Sequence, residues 1–169
     1  MSKAWILFCL VCIAGIGIGW VPDRNLLVQG NVVTIAEAEV GVREATNRND
    51  GVRVGEYQHA AGCRKGDAWC TCFVVWVFKQ AGYRMPKTGW SPDLFPASRV
   101  VKTPVAGCVM GIYFTAKRRI AHSGIVTLVH NEKIYTIEGN TNLNGSAEGD
   151  GVYKRVRHLK TIKSFAEWR

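Results

Sequence analysis

The spacing of apolar and polar positions divides the chain into three stretches. Lys3 is followed by an uncharged, almost wholly apolar run from Ala4 to Val21, which Pro22-Asp23-Arg24 closes. A short basic start, an apolar run and small residues at Gly17 and Gly19 predict a secretory signal peptide cut near Gly19. An uncleaved anchor fits equally, because about 18 apolar residues just suffice to cross hydrocarbon. Residues 1–21 are read as this leader, 22–33 as a linker and 34–169 as the folded domain.

The second stretch has helical signals. Thr34 and Glu37 form a capping-box pattern, and the run to about Thr46 is helix-compatible until Asn47–Gly51 breaks it. A short helix is expected over Asp50–Ala61, stopped by Gly62. From Trp69 to Ala81 the chain is apolar nearly all round and ends at Gly82. That length and that closing glycine predict a buried helix, with Asp67 as its cap. Residues 83–104 hold Pro86, Pro92, Pro96 and Pro104 and predict an irregular excursion.

The third stretch is rich in β-branched and aromatic residues. Val109–Phe114, Ser123–His130, Lys133–Asn140 and Gly151–Arg157 are predicted strands, the middle pair joined by a tight Asn131-Glu132 turn. Helices first and antiparallel strands second give an α+β class, with a buried helix laid against the sheet.

Composition adds charge and sulfur to this picture. The 169 residues carry 22 Lys plus Arg against 13 Asp plus Glu, a formal net charge of +9. Most of the excess lies in residues 99–169, with 12 basic and 5 acidic side chains. No arginine-rich run, zinc-finger spacing or basic helical stripe accompanies it, so no nucleic-acid partner is expected; an anionic polymer suits the charge better. The chain is long enough to bury a core without cysteine staples, so its 6 Cys need a separate explanation.

Cys70 is the strongest nucleophile candidate. It falls in the first turn of the predicted buried helix, where the positive end of the helix dipole and unpaired N–H groups favour a thiolate. The same N–H groups can hold a developing oxyanion. A small buried apolar Cys is the competing reading. For a base, His122 begins a strand and can point from its end into a cleft. His130 shares its face but lies about 26 Å further along at about 3.3 Å per residue. His59 and His158 read as ordinary exposed histidines. Glu138 and Asn140 share one face of the next strand, and a hairpin through Asn131-Glu132 pairs positions that sum to 262–263. His122 then sits near Asn140 and next to Glu138, so either can hold the imidazole in the tautomer that serves Cys70.

Three blocks on these residues carry a resemblance: Trp69-Cys70-Thr71-Cys72-Phe73-Val74, Ala121-His122-Ser123-Gly124-Ile125-Val126 and Thr136-Ile137-Glu138-Gly139-Asn140-Thr141. In this order they resemble the motif blocks of the CHAP domain, the cysteine- and histidine-dependent amidohydrolase/peptidase family within the NlpC/P60 papain-like hydrolases. With a helical lead-in around residues 40–51, the likeness spans roughly residues 34–157. It implies a papain-like α+β fold with the catalytic Cys at a helix N-terminus. Cys70 would be the nucleophile, His122 the base, and Glu138 with Asn140 their polar partners, in a CHAP-like catalytic domain over 34–169. It implies an amide bond of peptidoglycan as substrate, cut through a thioester without cofactor or metal. An N-acetylmuramoyl-L-alanine amidase and an endopeptidase both fit. A non-catalytic envelope-binding module, or a papain-like amidase or transacylase on a small amide or lipid, are the alternatives.

The expected partners are peptidoglycan and, through the leader, the cytoplasmic membrane, with a monomeric domain secreted, periplasmic or anchored outside the cytoplasm. The sequence departs from the family in carrying Cys72 where small residues are usual, and Cys108 where an Asp is common. With the leader and Cys70 set aside, Cys63, Cys72 and Cys108 remain, an odd number with no pairing fixed. A zinc site from Cys63, Cys70, Cys72 and Cys108 lacks any Cys-x-x-Cys spacing, and the Asn47–Gly51 loop lacks the closing acidic residue of a calcium loop.

Overall fold

The apolar stretch after Trp69 forms the helix that organises the domain. In the computed structural model, which describes residues 32–143 and 149–169, this helix, α3, is Cys70–Gln80. The leader expected at 1–21, and the linker as far as residue 31, lie outside the described residues. Among those described, no helix is long and apolar enough to cross a membrane.

Every residue of α3 from Cys70 to Phe78 is buried, as an apolar surface on all sides requires. Its end is set by Gly82 in the left-handed region, φ 85°, with Gly82 N donating to Lys79 O and Tyr83 N to Phe78 O. The start differs from expectation. Asp67 does not cap the helix: its carboxylate accepts from Arg64 N at 2.8 Å, and Trp69 occupies the cap position with no side-chain cap bond.

Helix α2, Val52–Ala61, ends at the expected Gly62, φ 76°. Helix α1 is shorter than the helix-compatible run to Thr46: residues 32–38 are helical and the chain then turns away. Thr34 lies inside this helix rather than at a cap. The helix stops because tertiary pairing outweighs local propensity. Gly41 takes φ 101°, its N–H bonds Val152 O, and Arg43 bridges to Gly151. Glu39 turns inward, accepting both arms of Arg53 at 2.8 Å and the Tyr57 hydroxyl, which ties α1 to α2.

The strands form one antiparallel sheet in the order β1-β6-β2-β3-β4-β5. They are β1 Val100–Val101, β2 Val109–Phe114, β3 Arg119–His130, β4 Lys133–Thr141, β5 Gly151–His158 and β6 Ser164–Ala166. Four match the predicted strands, β3 beginning four residues early. The short β1 and β6 are too brief to show a period of two. Val109, Ile125, Ile137 and Val152 face the helices and join Tyr57, Trp69, Phe73 and Phe78 in the main core. A second cluster, with Cys108, Met110, Val126, Ile134 and Phe165, gathers the residues of alternate parity. The α+β class and the buried helix on an antiparallel sheet are therefore as the sequence indicates.

Helix and sheet meet most closely at Gly139, where a Cβ would lie 2.7 Å from Phe73 Cβ and 2.8 Å from Trp69 Cζ3. Neither neighbour can yield, since both are fully buried. Gly139→Ala is expected to destabilise the domain by about 1–3 kcal/mol through overpacking, read as a lowered midpoint in thermal denaturation; an unchanged midpoint would contradict this contact.

Candidate active site

The first turn of α3 is fixed from behind. The Trp69 indole N–H donates to Glu44 Oε1 at 2.8 Å, and the ring stacks on Tyr57 with centroids 5.7 Å apart. Glu44 Oε2 also accepts from Asn49 N at 2.9 Å, and Asp50 accepts from the Thr46 amide and hydroxyl, both at 2.9 Å. The 44–50 loop is thus a brace for Trp69. Helical bonding starts with Phe73 N to Trp69 O, leaving the amides before it without intrahelical partners. Cys70 stands at this end, 7% exposed.

His122, on β3, donates from Nε2 to Glu138 Oε2 at 2.8 Å. The direction is fixed by the carboxylate, which only accepts, so Nδ1 is the nitrogen left for Cys70. The recorded pairs run from His130 opposite Lys133 to Ile125 opposite Ile137, the predicted sums of 263 and 262. Continued, this register puts His122 across from position 140 and diagonal to Glu138. Gly124 makes the contact possible: a Cβ there would lie 2.6 Å from Glu138 Cγ, so the bare backbone lets the Glu138 stem lie across β3.

Glu138 is fully buried and heavily clamped. Arg157 on β5 grips it with Nε on Oε1 at 2.9 Å and Nη2 on Oε2 at 2.5 Å, and the Thr136 hydroxyl donates to Oε1 at 2.6 Å. Burial alone would raise the carboxyl, but Arg157 and His122 hold it far below the usual carboxylate range. Burial likewise pushes the His122 imidazolium toward neutrality; the bonds and charges of Cys70 and Glu138 outweigh it and raise the ring to about 10. For Cys70, burial pushes the thiol up, while His122, the Ser123 amide and the Ser91 hydroxyl bring it down to about 6. Between those limits the resting pair is thiolate and imidazolium, a preformed nucleophile beside a preformed acid.

The structure departs from the sequence reading at Asn140. It takes φ 50°, where the β4–β5 register shifts between Glu138 and Thr141. That left-handed turn swings its side chain off the Glu138 face. The Asn140 amide donates to Asn49 Oδ1 at 3.1 Å and accepts from Gly149 N at 3.3 Å; it makes no hydrogen bond to His122. Of the two orienters left open by the sequence, Glu138 does the holding. The other histidines have different settings: His59 lies in the last turn of α2, His130 bonds Asn131 and His158 pairs with Glu132.

Several residues of the site gave no usable sequence signal. Ser91, in a 3-10 turn over Ser91–Leu94, puts its hydroxyl 3.9 Å from Cys70 Sγ and 2.9 Å from Thr71 Oγ1, which also meets Ser123 Oγ at 3.1 Å. At the rim, half-exposed Trp90 carries the Arg119 guanidinium 3.7 Å over its ring. Arg157 comes from a strand that showed only alternation. The four-cysteine zinc arrangement is not built, since Cys108 lies in the second cluster beside Glu167. Among the described residues, no group of three or more His, Cys, Asp or Glu side chains is placed to hold a metal ion.

A thiol at a helix N-terminus, an imidazole on a neighbouring strand and a carboxylate behind it define a cysteine amidohydrolase or peptidase site. The family model described as the CHAP domain matches residues 62–140, the segment that supplies Cys70, His122, Glu138 and Asn140. That match is consistent with NlpC/P60-type hydrolases and implies peptidoglycan-hydrolase-type amidase or peptidase activity in general. A comparison with curated proteins finds no match to the chain.

The charge state of the pair is directly measurable. Thiolate appears as pH rises through the Cys70 value, so iodoacetamide labelling of Cys70 is expected to rise with a midpoint near 6. In His122→Ala burial is opposed only by the Ser123 amide and the Ser91 hydroxyl, so the midpoint should move up toward the ordinary thiol value of about 8.5. Equal midpoints in the two proteins would show that His122 does not set the thiol.

Proposed function

We propose that the chain is a peptidoglycan hydrolase that cleaves an amide bond by cysteine nucleophilic catalysis, with Cys70 as nucleophile, His122 as acid and base, and Glu138 as the group that orients His122. The observation that carries this reading is the buried Cys70–His122–Glu138 array, with the thiol lowered to about 6, inside a CHAP domain match. The Cys70 thiolate attacks the scissile carbonyl carbon. The free amides at the start of α3 face the developing oxyanion, where fixed donors are worth several kcal/mol of transition-state stabilisation. Collapse breaks the C–N bond as His122 Nδ1 gives its proton to the leaving amine, forming a thioester. Neutral His122 then takes a proton from water, whose oxygen attacks the thioester and releases Cys70.

The substrate side of the reading rests on the rim. Trp90 offers a flat apolar wall suited to a sugar ring or peptide stem, and Arg119 over it offers a cation to a stem-peptide carboxylate. The +7 half of the chain that carries His122 and Glu138 favours an anionic wall polymer over a neutral small amide. Export through the 1–21 leader, and work outside the cytoplasmic membrane as a monomer, belong to the same proposal.

Zymography on purified cell wall compares wild type with Cys70→Ala. Wild type is expected to clear the wall and the variant to lose about a thousandfold or more in rate. Mass analysis of the released muropeptides identifies the bond: a free lactyl carboxyl with a new L-alanine amino terminus marks an amidase, and shortened or unlinked stems mark an endopeptidase. Equal clearing by both proteins, or none by either, would overturn the catalytic reading and favour an envelope-binding module.

A further inference from the structure

Among the described residues, three cysteines have no part in the chemistry above, and two of them meet. Cys63 follows the Gly62 stop of α2, and Cys72 is in the first turn of α3. Their Sγ atoms are 3.2 Å apart as free thiols. No other described cysteine competes: Cys70, on the same helix, turns to Ser91 and His122, and Cys108 lies in the second cluster beside Glu167.

The surroundings are shaped to the sulfur pair. A Cβ on Gly89 would lie 2.3 Å from Cys63 Sγ and 3.5 Å from Cys72 Sγ, so only a bare glycine can lie against the two sulfurs. Two residues before Gly89, the Lys87 stem covers Gly62, where a Cβ would be 2.7 Å from Lys87 Cε. The 87–91 segment thus rests on the Cys63–Cys72 contact at one end and delivers Ser91 to Cys70 at the other. The intervening loop is held in the same shape by Arg64 N to Asp67 Oδ2, Gly66 N to Asn49 O and Gln58 Nε2 to Asp67 O.

We propose that Cys63 and Cys72 close a disulfide bond when the chain meets a disulfide oxidant, cross-linking the end of α2 to the catalytic turn of α3 beneath the Ser91 segment. Closure asks the sulfurs to approach by about 1 Å, within reach of side-chain rotation. The oxidant is a disulfide, either of a thiol oxidoreductase or of a small molecule such as oxidised glutathione. Partly exposed Cys63 supplies the thiolate that attacks one oxidant sulfur, releasing one thiol and leaving a mixed disulfide. Cys72 gives its proton to solvent and its sulfur displaces the second oxidant thiol. Two protein thiols and one oxidant disulfide become one protein disulfide and two oxidant thiols, two electrons passing to the oxidant. Cys72 is fully buried in the folded domain, so the exchange runs fastest before α3 docks.

This pairing accounts for the odd count of leftover cysteines. Cys108 is the unpaired one, kept inert by burial, which pushes its thiol up. The bond would stiffen the two segments that position Cys70 and Ser91 without using either residue.

The full-length chain is refolded in a mixture of oxidised and reduced glutathione, alkylated without reduction, digested and mapped by mass spectrometry. The expected result is a linked Cys63–Cys72 peptide with Cys70 and Cys108 alkylated. A reductant should lower the melting temperature of this protein by about 5–10 °C, the effect of opening a ten-residue ring. Cys63→Ala, at a partly exposed position, should lack that reductant-dependent shift and keep wild-type wall clearing in reductant. Alkylated Cys63 and Cys72, a bond from either to another cysteine, or the same reductant shift in Cys63→Ala would overturn the pairing. Peptide mapping and melting do not depend on the enzyme's substrate, so the pairing and the hydrolase reading fail separately.

Discussion

Glu138 is a fully buried carboxylate, and most of the site exists to keep it ionised and still. Burying such a charge costs several kcal/mol unless it is paired and its lone pairs are filled. Here the Arg157 fork, the Thr136 hydroxyl and the His122 ring N–H fill them. The partners come from β3, β4 and β5, so one carboxylate fixes the mutual register of three strands. A slip of one residue would turn His122 or Arg157 to the opposite face and strand the charge. Breaking a buried pair of this kind typically costs about 3–5 kcal/mol. The same constraint orients the imidazole, because Nε2 is committed to Glu138 and Nδ1 is left for the thiol. Structure and chemistry are here one requirement.

The helix side answers to a different constraint. Cys70 must stand at the start of α3 with free amides beside it, yet α3 is buried on every side from Cys70 to Phe78. The fold solves this by bracing the entry with Trp69 on Glu44 and Tyr57, and by bringing α3 onto the sheet over Gly139. The thiol then meets the sheet where β3 enters the site, at Ser123 and His122. Desolvation alone would have made Cys70 a poor nucleophile; the adjacent imidazolium reverses that outcome. Burial and activation coexist because the partner is as buried as the thiol.

The strand pattern, the turn at Asn131-Glu132 and the spacing of Cys70, His122 and Glu138 were legible because they follow periods of two and of 3.6 and a simple hairpin register. The hairpin sum alone sets His122 beside Glu138, and the bulge between Val126 and Leu128 shifts it by only one. What was not legible depended on tertiary pairing or on single dihedrals. The chain after α1 leaves helical form to pair with β5, which no local pattern of Glu39–Thr46 announces. Asn140 obeys strand parity in sequence and escapes it through one left-handed φ. Ser91 and Arg157 enter the site from an irregular excursion and an ordinary strand, and the Cys63–Cys72 contact spans a loop whose shape follows from its bonds to Asn49 and Gln58.

The central claim is that Glu138 and Cys70 together hold His122 as an imidazolium in the resting protein. The most direct test is a pH titration of the His122 ring nitrogens by 15N NMR. Both nitrogens are predicted to remain protonated through neutral pH and to titrate near 10. A ring that titrates near the ordinary histidine value of about 6.5 would contradict the account, since the carboxylate clamp and the thiolate would then not be setting its charge.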